Sequence, residues 1–447
     1  MNAGEPSGSG ASAPAPDPLA AVRTRGYVVL LVIAALLGVP LAAGAWGFLQ
    51  AIAQIQQGLY TDLPRGLGFH GEPLWWPLPL LAVAGILVAA TIRYLPGTAG
   101  HEPSGGLKTS GPVASRDLLG ILIAATASIG LGVVIGPEAP LIALGGGLAA
   151  YAVRLLKPSA DRKVVSTAAA AGSFAAISAL LGSPLLGAFL LMEASGLGGA
   201  LLDVVLLPGL LAAGIGALVF TGLDSWSGLP STALTIPNLP AAGQPTIAEF
   251  GWALVIGAAA AGVGYVIRRC AVFLQPHVAR RRMWWTPVAG LAVAGLAIAY
   301  AQGSGKPTSD VLFSGQSDLG PLIAHSAQYT VGALVLLLAC KSLAYSLSLS
   351  AFRGGPIFPS MFLGAAGGIA MSHLAGMSLI PGVAMGIGAL ADAMLTLPLT
   401  SVLLATLLLG KDGITVMPLV IVAVVVSHVI SVDIAPPAPP ADGARAA

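Results

Sequence analysis

Apolar stretches recur along most of the chain and carry few charges inside them. The first long one spans 27–49, just after Arg23 and Arg25. A polar stretch at 54–73 separates it from the next, at 74–95. Others lie at 117–135, 139–156, 164–181, 184–197 and 201–222. A Pro-, Thr- and Gly-rich segment at 223–247 reads as an extramembranous linker. Apolar runs resume at 248–274, 284–301, 323–350, 357–375, 380–394, 398–410 and 414–432. A membrane-crossing helix needs about 20 apolar residues. Several of these runs are shorter, or are divided by Gly or Pro. A helix that stops at membrane depth leaves backbone groups unpaired, which is tolerable where its end lines a cavity or finds another partner. The pattern predicts an all-α polytopic membrane protein of tilted and broken helices, with a channel or transporter site near the midplane.

Composition sharpens this. Hydrophobic residues make up 56% of the 447 residues and charged ones 9%, against about 25% charged in soluble domains. The net charge of +2 argues against a nucleic-acid partner. Two cysteines, Cys270 and Cys340, supply neither a disulfide framework nor a metal site. No nucleotide-binding loop, HExxH or clustered His/Asp/Glu set is present, so neither an enzyme nor a cofactor is expected. Residues 1–22 and 433–447, rich in Ala, Pro and Gly, read as disordered tails. The first is neither basic nor apolar enough for a secretory leader. The second leaves no room for a cytoplasmic regulatory domain. Arg23 and Arg25 favour a cytoplasmic N-terminus. A basic loop holding Arg268, Arg269, Arg280, Arg281 and Arg282 belongs on the same side.

The chain divides into two membrane repeats, 23–222 and 248–432. The first contains Gly136-Pro137-Glu138-Ala139-Pro140, then Gly145-Gly146-Gly147. The second contains Gly354-Gly355-Pro356-Ile357-Phe358-Pro359, then Gly364 and Gly367-Gly368. Ser183-Pro184-Leu185-Leu186 and Leu397-Pro398-Leu399-Thr400 follow at similar distances. Matching breaks in two halves mark a transporter-like repeat.

Glu138 stands out chemically. A carboxylate at membrane depth costs roughly 2.5–3.5 kcal/mol on insertion scales. It lies at a predicted helix start, where proline is tolerated and free N–H groups can bind a carboxylate. The same donors would bind a small anion if the side chain moved away. Glu138 therefore reads either as a gate that competes with an anion or as a structural cap. In the second cluster the glycines permit close backbone approach. The N–H groups of Ile357 and Phe358 are anion donors there, and Phe358 can form a hydrophobic collar. The alternative for this cluster is helix packing.

These two clusters resemble the chloride channel and chloride/proton antiporter family, the CLC proteins. That family's gating motif has the form Gly-basic-Glu-Gly-Pro. Here Gly136, Glu138 and Pro140 are kept, while the basic residue and second glycine are replaced by Pro137 and Ala139. Its Gly-Gly-x-Phe-x-Pro motif is similar to residues 354–359. LACKSLAYSLSLS (338–350), MFLGAAGG (361–368), SALLGSPLLGAFLLMEAS (178–195) and PLTSVLLATLL (398–408) also resemble the family, over about 27–432. The resemblance implies a CLC-like inverted repeat, a homodimer in a cell membrane and one anion pathway per subunit. It implies pore-lining or backbone contacts to the anion from Gly136, Ala139, Ile357 and Phe358. It also implies that Glu138 fills the outer ion site when ionised and swings out when protonated.

Three departures from the family bear on mechanism. Its Gly-Ser-Gly-Ile-Pro motif falls on Gly100-His101-Glu102-Pro103-Ser104-Gly105-Gly106, where Ser104 is the nearest hydroxyl. His101 and Glu102 either line the pore and a proton route or form an exposed loop pair. The family antiporters' inner glutamate falls on Ala194, one residue after Glu193. Glu193 is either a substitute proton carrier or a helix-end cap. The family's pore tyrosine lies in a final helix, and no tyrosine follows Tyr345 here; His428 and Asp433 near that end take no assigned role. The leading expectation is passive conduction of chloride or another small halide, gated by protonation of Glu138. The alternative is a coupled chloride/proton or fluoride/proton antiporter. A cation or substrate carrier is disfavoured by anion-friendly helix starts and by an expected lack of several buried acids.

Overall fold

A computed structural model describes residues 24–107, 113–196, 200–229 and 241–434. Sixteen α-helices carry the described residues. In the first half they are α1 Arg25–Gln57, α2 Leu63–Gly66, α3 Pro77–Tyr94, α4 Ser115–Gly130, α5 Glu138–Leu156, α6 Arg162–Leu181, α7 Pro184–Ser195 and α8 Ala200–Ser227. In the second half they are α9 Ile247–Arg280, α10 Arg282–Ser304, α11 Leu319–Ala324, α12 Val331–Ala351, α13 Ile357–Ser372, α14 Leu379–Leu395, α15 Pro398–Leu408 and α16 Gly410–Ile434. Nine spans among the described residues are long and apolar enough to cross a membrane, while α7, α13, α14 and α15 are shorter apolar helices. The only β pairing among the described residues is an isolated bridge between Gly136 and Gly355. The fold is all-α and polytopic.

The short helices begin where the sequence places proline. Pro184 opens α7, where the Ser183 hydroxyl accepts from the Leu186 amide at 3.3 Å. Pro398 opens α15, without a side-chain cap of its own on the residue before it. Proline's fixed φ and missing N–H suit a first turn. Thr246 and Glu249 form a capping box at the start of α9, which satisfies two orphan amides at once.

Several boundaries differ from the hydropathy reading. α1 runs on into the polar stretch at 54–73, because Gln56 there donates to the Ile129 carbonyl at 2.9 Å and so closes the end of α4. The basic loop is almost wholly helical: Arg268, Arg269 and Arg280 lie within α9, Arg282 opens α10, and Arg281 is the single residue between. The apolar run 323–350 is broken before α12, whose first turn is capped by the Thr330 hydroxyl. α8 extends to Ser227, into the linker, and α16 takes in Asp433 and Ile434. The rest of both terminal segments and residues 230–240 of the linker lie outside the described residues.

Both halves pack a helix pair through glycine. In α5 and α6, a Cβ on Gly145 would strike the Gly172 carbonyl. In α13 and α14, Gly364 meets Gly386 and Gly368 meets Gly382 with the same closeness. Small residues let helix backbones approach where no hydrophobic force favours one apolar neighbour over another. α14 is buried along nearly its whole length.

Lys341 on α12 is fully buried. Its ammonium donates to the carbonyls of Asp310, Val311 and Leu312 at 2.9, 3.1 and 3.0 Å, and lies 4.3 Å above the Phe362 ring. Unpaired, such a charge would be prohibitive; caged, it pins an irregular segment against the core. Phe313 at the end of that segment donates to the Gly132 carbonyl at 3.1 Å.

Gly386→Ala should lower the thermal unfolding midpoint in detergent, since overpacking a tight helix contact costs about 1–3 kcal/mol. An unchanged midpoint would show that α13 and α14 are not held at this distance.

Candidate functional site

Leu131 to Pro137 form the irregular link from α4 to α5, and Phe352 to Pro356 the link from α12 to α13. The two links meet. Gly136 donates to the Gly355 carbonyl at 2.8 Å, and Gly355 donates back at 2.6 Å. This pair sets the first turn of α5 beside the first turn of α13.

Glu138, first residue of α5, is completely buried. Its Oε1 accepts from the Phe358 amide at 2.8 Å. Its Oε2 is buried with no hydrogen-bond partner. The carboxylate therefore crosses from one half of the chain to the helix start of the other. A Cβ on Gly136 or on Gly355 would collide with it, so both glycines supply its room. The Gly136 amide is spent on Gly355, and that residue contributes space and a bridge. Ala139 and Pro140 line a cavity of about 1080 Å³, together with Pro356 from the facing helix start. Ile357 and Phe358 are buried.

One face of α12 orders both links. The Tyr345 hydroxyl donates to the Pro356 carbonyl at 2.7 Å. The Ser348 hydroxyl accepts from the Val134 amide at 3.2 Å and donates to Ala344. With Lys341, these residues form a polar stripe at helical spacing on α12. That periodicity is visible in LACKSLAYSLSLS, but its targets are not, because they lie elsewhere in sequence.

Residues 104–432 match the family model described as voltage gated chloride channel. The chain belongs to that family. It is thus a multi-pass anion-transport protein of the CLC type. YfeO of Escherichia coli O17:K52:H18 (strain UMN026), whose name assigns it provisionally to ion transport, is 28% identical over 352 residues, covering 78% of this chain and 80% of YfeO. YfeO of Salmonella schwarzengrund is 29% identical over 349 residues, 78% and 81% of the two chains. A solved slow cyanobacterial Cl−/H+ antiporter superposes with a TM-score of 0.73 at 18% identity, covering 90% of this chain and 94% of that one. A CLC-type fluoride/proton antiporter gives 0.68 at 19% identity, covering 90% and 95%. These solved structures share the CLC fold.

The residues that depart from the CLC pattern fall into two groups. The Ser104 hydroxyl donates to Gln275 on α9 at 2.9 Å and lines a separate cavity of about 510 Å³. His101 and Glu102 line both cavities. Glu102 is ion-paired with Arg282 at 2.9 Å and with Arg353 at 3.5 Å. Glu193, in the last turn of α7, turns to the start of α15, accepting from the amides of Leu399 and Thr400 at 3.0 and 2.8 Å and from the Thr400 hydroxyl at 2.6 Å. Its neighbours Leu191 and Ser195 line the large cavity.

The expected lack of buried acids is not what the fold shows. Glu138, Glu249, Asp310 and Asp392 are all buried. Asp310 accepts from the Tyr300 and Tyr329 hydroxyls at 2.8 and 3.1 Å, and Asp392 lies 3.0 Å from His428 Nδ1. Glu249 is the capping-box acid. Glu138, Asp310 and Asp392 meet partners distant in sequence, although one oxygen each of Glu138 and Asp392 stays without one, while Glu249 is capped locally by Thr246. Among the described residues no group of three or more His, Cys, Asp or Glu is placed to hold a metal.

Gly355→Ala should push the Glu138 carboxylate off the Phe358 amide. Halide flux from liposomes should then persist with a flattened pH response. A wild-type pH response in that variant would show that the carboxylate does not need this space.

Proposed function

We propose that this chain exchanges a small halide for protons across a cell membrane, with Glu138 as the gate. The observation that carries the reading is the Glu138 carboxylate seated on the Phe358 amide, with its other oxygen buried and unpartnered. A carboxylate there is a tethered anion on an anion's donors. A buried polar atom without a partner costs about 1–3 kcal/mol. Two events relieve it: a proton on the carboxylate, or a free anion taking the amide as the side chain leaves. Both act on one group, which is the minimal requirement for coupling. The family membership supports anion transport, and the two antiporters of the same fold support exchange. On this reading 23–222 and 248–432 are two repeats contributing one helix start each. The N-terminus is cytoplasmic, the protein is a homodimer, and Ile357, Phe358 and Ala139 border the anion.

Passive conduction is the second reading. Ala194 supports it, because the family position of the inner proton glutamate holds no titratable group. Glu193 supports it too, since three hydrogen bonds commit it to capping α15.

The deciding experiment reconstitutes the purified protein in liposomes and records halide and proton movement together, with chloride and with fluoride. A halide gradient that drives protons uphill establishes exchange. Halide flux without proton movement establishes a channel.

Flux should rise as pH falls, because protonation removes the charge that the Phe358 amide holds. Glu138→Gln should be insensitive to pH. A Glu138→Gln protein with the wild-type pH response would remove Glu138 from the gate.

Glu193→Gln places an amide donor against the α15 amides and should destabilise by about 1–3 kcal/mol, read as a lower thermal midpoint. If Glu193 is only a cap, the ratio of protons to halide stays at the wild-type value. A changed ratio would make it a proton carrier.

A further inference from the structure

Glu102 repeats, with charged side chains, what Glu138 does with backbone amides. Its Oε1 lies 2.9 Å from an Arg282 nitrogen and 3.5 Å from an Arg353 nitrogen, and its Oε2 accepts from Gln275. Two guanidinium groups thus share one carboxylate. Arg353 is the fixed member. Arg353 has a side chain only 4% exposed, and it also donates to the carbonyls of Thr98 and Phe352 at 3.4 and 3.2 Å. Arg282 opens a long helix and is 19% exposed. Glu102 is the most exposed of the three, at 36%. It sits on a loop without α-helix, in which Gly97, Thr98, Ala99, Gly100 and Gly106 all have positive φ.

The ion pair also has a telling location. Thr98, Gly100, His101, Glu102 and Arg353 belong to the walls of both the 1080 Å³ and the 510 Å³ cavities. The larger cavity reaches Ala139, Pro140 and Pro356, the two helix starts that flank Glu138. Arg353 is two residues from Gly355, which bridges to Gly136. Asp117 is a further acid on that cavity wall, and it is already paired with Arg116 at 3.6 Å.

We propose that Arg353 and Arg282 form a second anion-binding site, for a small monovalent anion, and that Glu102 is a tethered occupant which a free anion displaces. Guanidinium groups present several fixed donors and keep their charge. With Glu102 turned away, a double positive charge remains at the partition between the cavities. An anion held there is one step from the helix starts at Glu138. Only this last step rests on the proposed role of Glu138; binding at the arginines does not.

The test is bromide anomalous diffraction from crystals of the full chain, wild type and Glu102→Gln, alongside bromide flux in liposomes. Glu102→Gln should show bromide in contact with both Arg353 and Arg282. Its half-saturating bromide concentration should fall by about tenfold, the change that follows from about 1.4 kcal/mol of relieved competition. Arg353→Gln should raise that concentration. Should Glu102→Gln fail to fold, wild-type crystals at high bromide carry the test, with Glu102 expected to leave the arginines as bromide arrives. Bromide at the Phe358 amide but none at the arginines in either crystal overturns this inference and leaves the Glu138 gate standing. A lower melting temperature in Glu102→Gln with unchanged bromide affinity also overturns it, reducing the cluster to a brace. Bromide at neither place, with no halide flux, overturns both readings.

Discussion

Two backbone hydrogen bonds between Gly136 and Gly355 set the rest of this structure in order. They join residues more than two hundred positions apart, and they do so where each half of the chain stops being irregular and becomes helix. The pairing aims the first turn of α13 at the first turn of α5. Glu138 then has a donor, Phe358, that its own half does not contain. A carboxylate at this depth is costly, and the bridge is what makes the cost bearable.

The surroundings serve that junction. The links on either side have no regular pairing of their own, so their amides and carbonyls need partners from elsewhere. α12 supplies them from one face: Tyr345 to Pro356, Ser348 to Val134, and Lys341 to the segment at 310–313. The glycine contacts of α5 with α6 and of α13 with α14 hold the helices behind the two starts. On the proposed reading of Glu138 as a gate, this support lets the side chain move while its donors stay in place. At Glu102 a similar division holds, with Arg353 buried and bonded to two carbonyls and the carboxylate on a loop.

Charge in this protein is scarce, and its buried charges among the described residues have partners. Lys341 is caged by carbonyls, Asp310 by two tyrosines and Glu193 by a helix start. Asp392 sits against His428. In apolar surroundings an unpaired charge is far more expensive than an unpaired neutral group. Pairing is incomplete at few of these groups, and Asp392 Oδ2 is one that stays bare. Glu138 leaves one oxygen bare, and two arginines share one glutamate beside the large cavity.

The hydropathy pattern determined the all-α membrane architecture, because segment length and the scarcity of charge are read residue by residue. Proline and glycine placed the broken helices, since their backbone limits act locally. Glu138 was legible for the same reason: a lone acid between prolines in an apolar stretch is anomalous without any structure. The tertiary structure alone decided what these groups touch. Ser104 turned to Gln275, Glu193 to α15 and Glu102 to two arginines, each through partners distant in sequence. The roles of Tyr345 and Arg353 were hidden likewise, as was the burial of Asp310 and Asp392 beside their partners. A sequence records which polar groups exist, but burial makes each seek a partner in space, and only the folded chain determines which one is within reach.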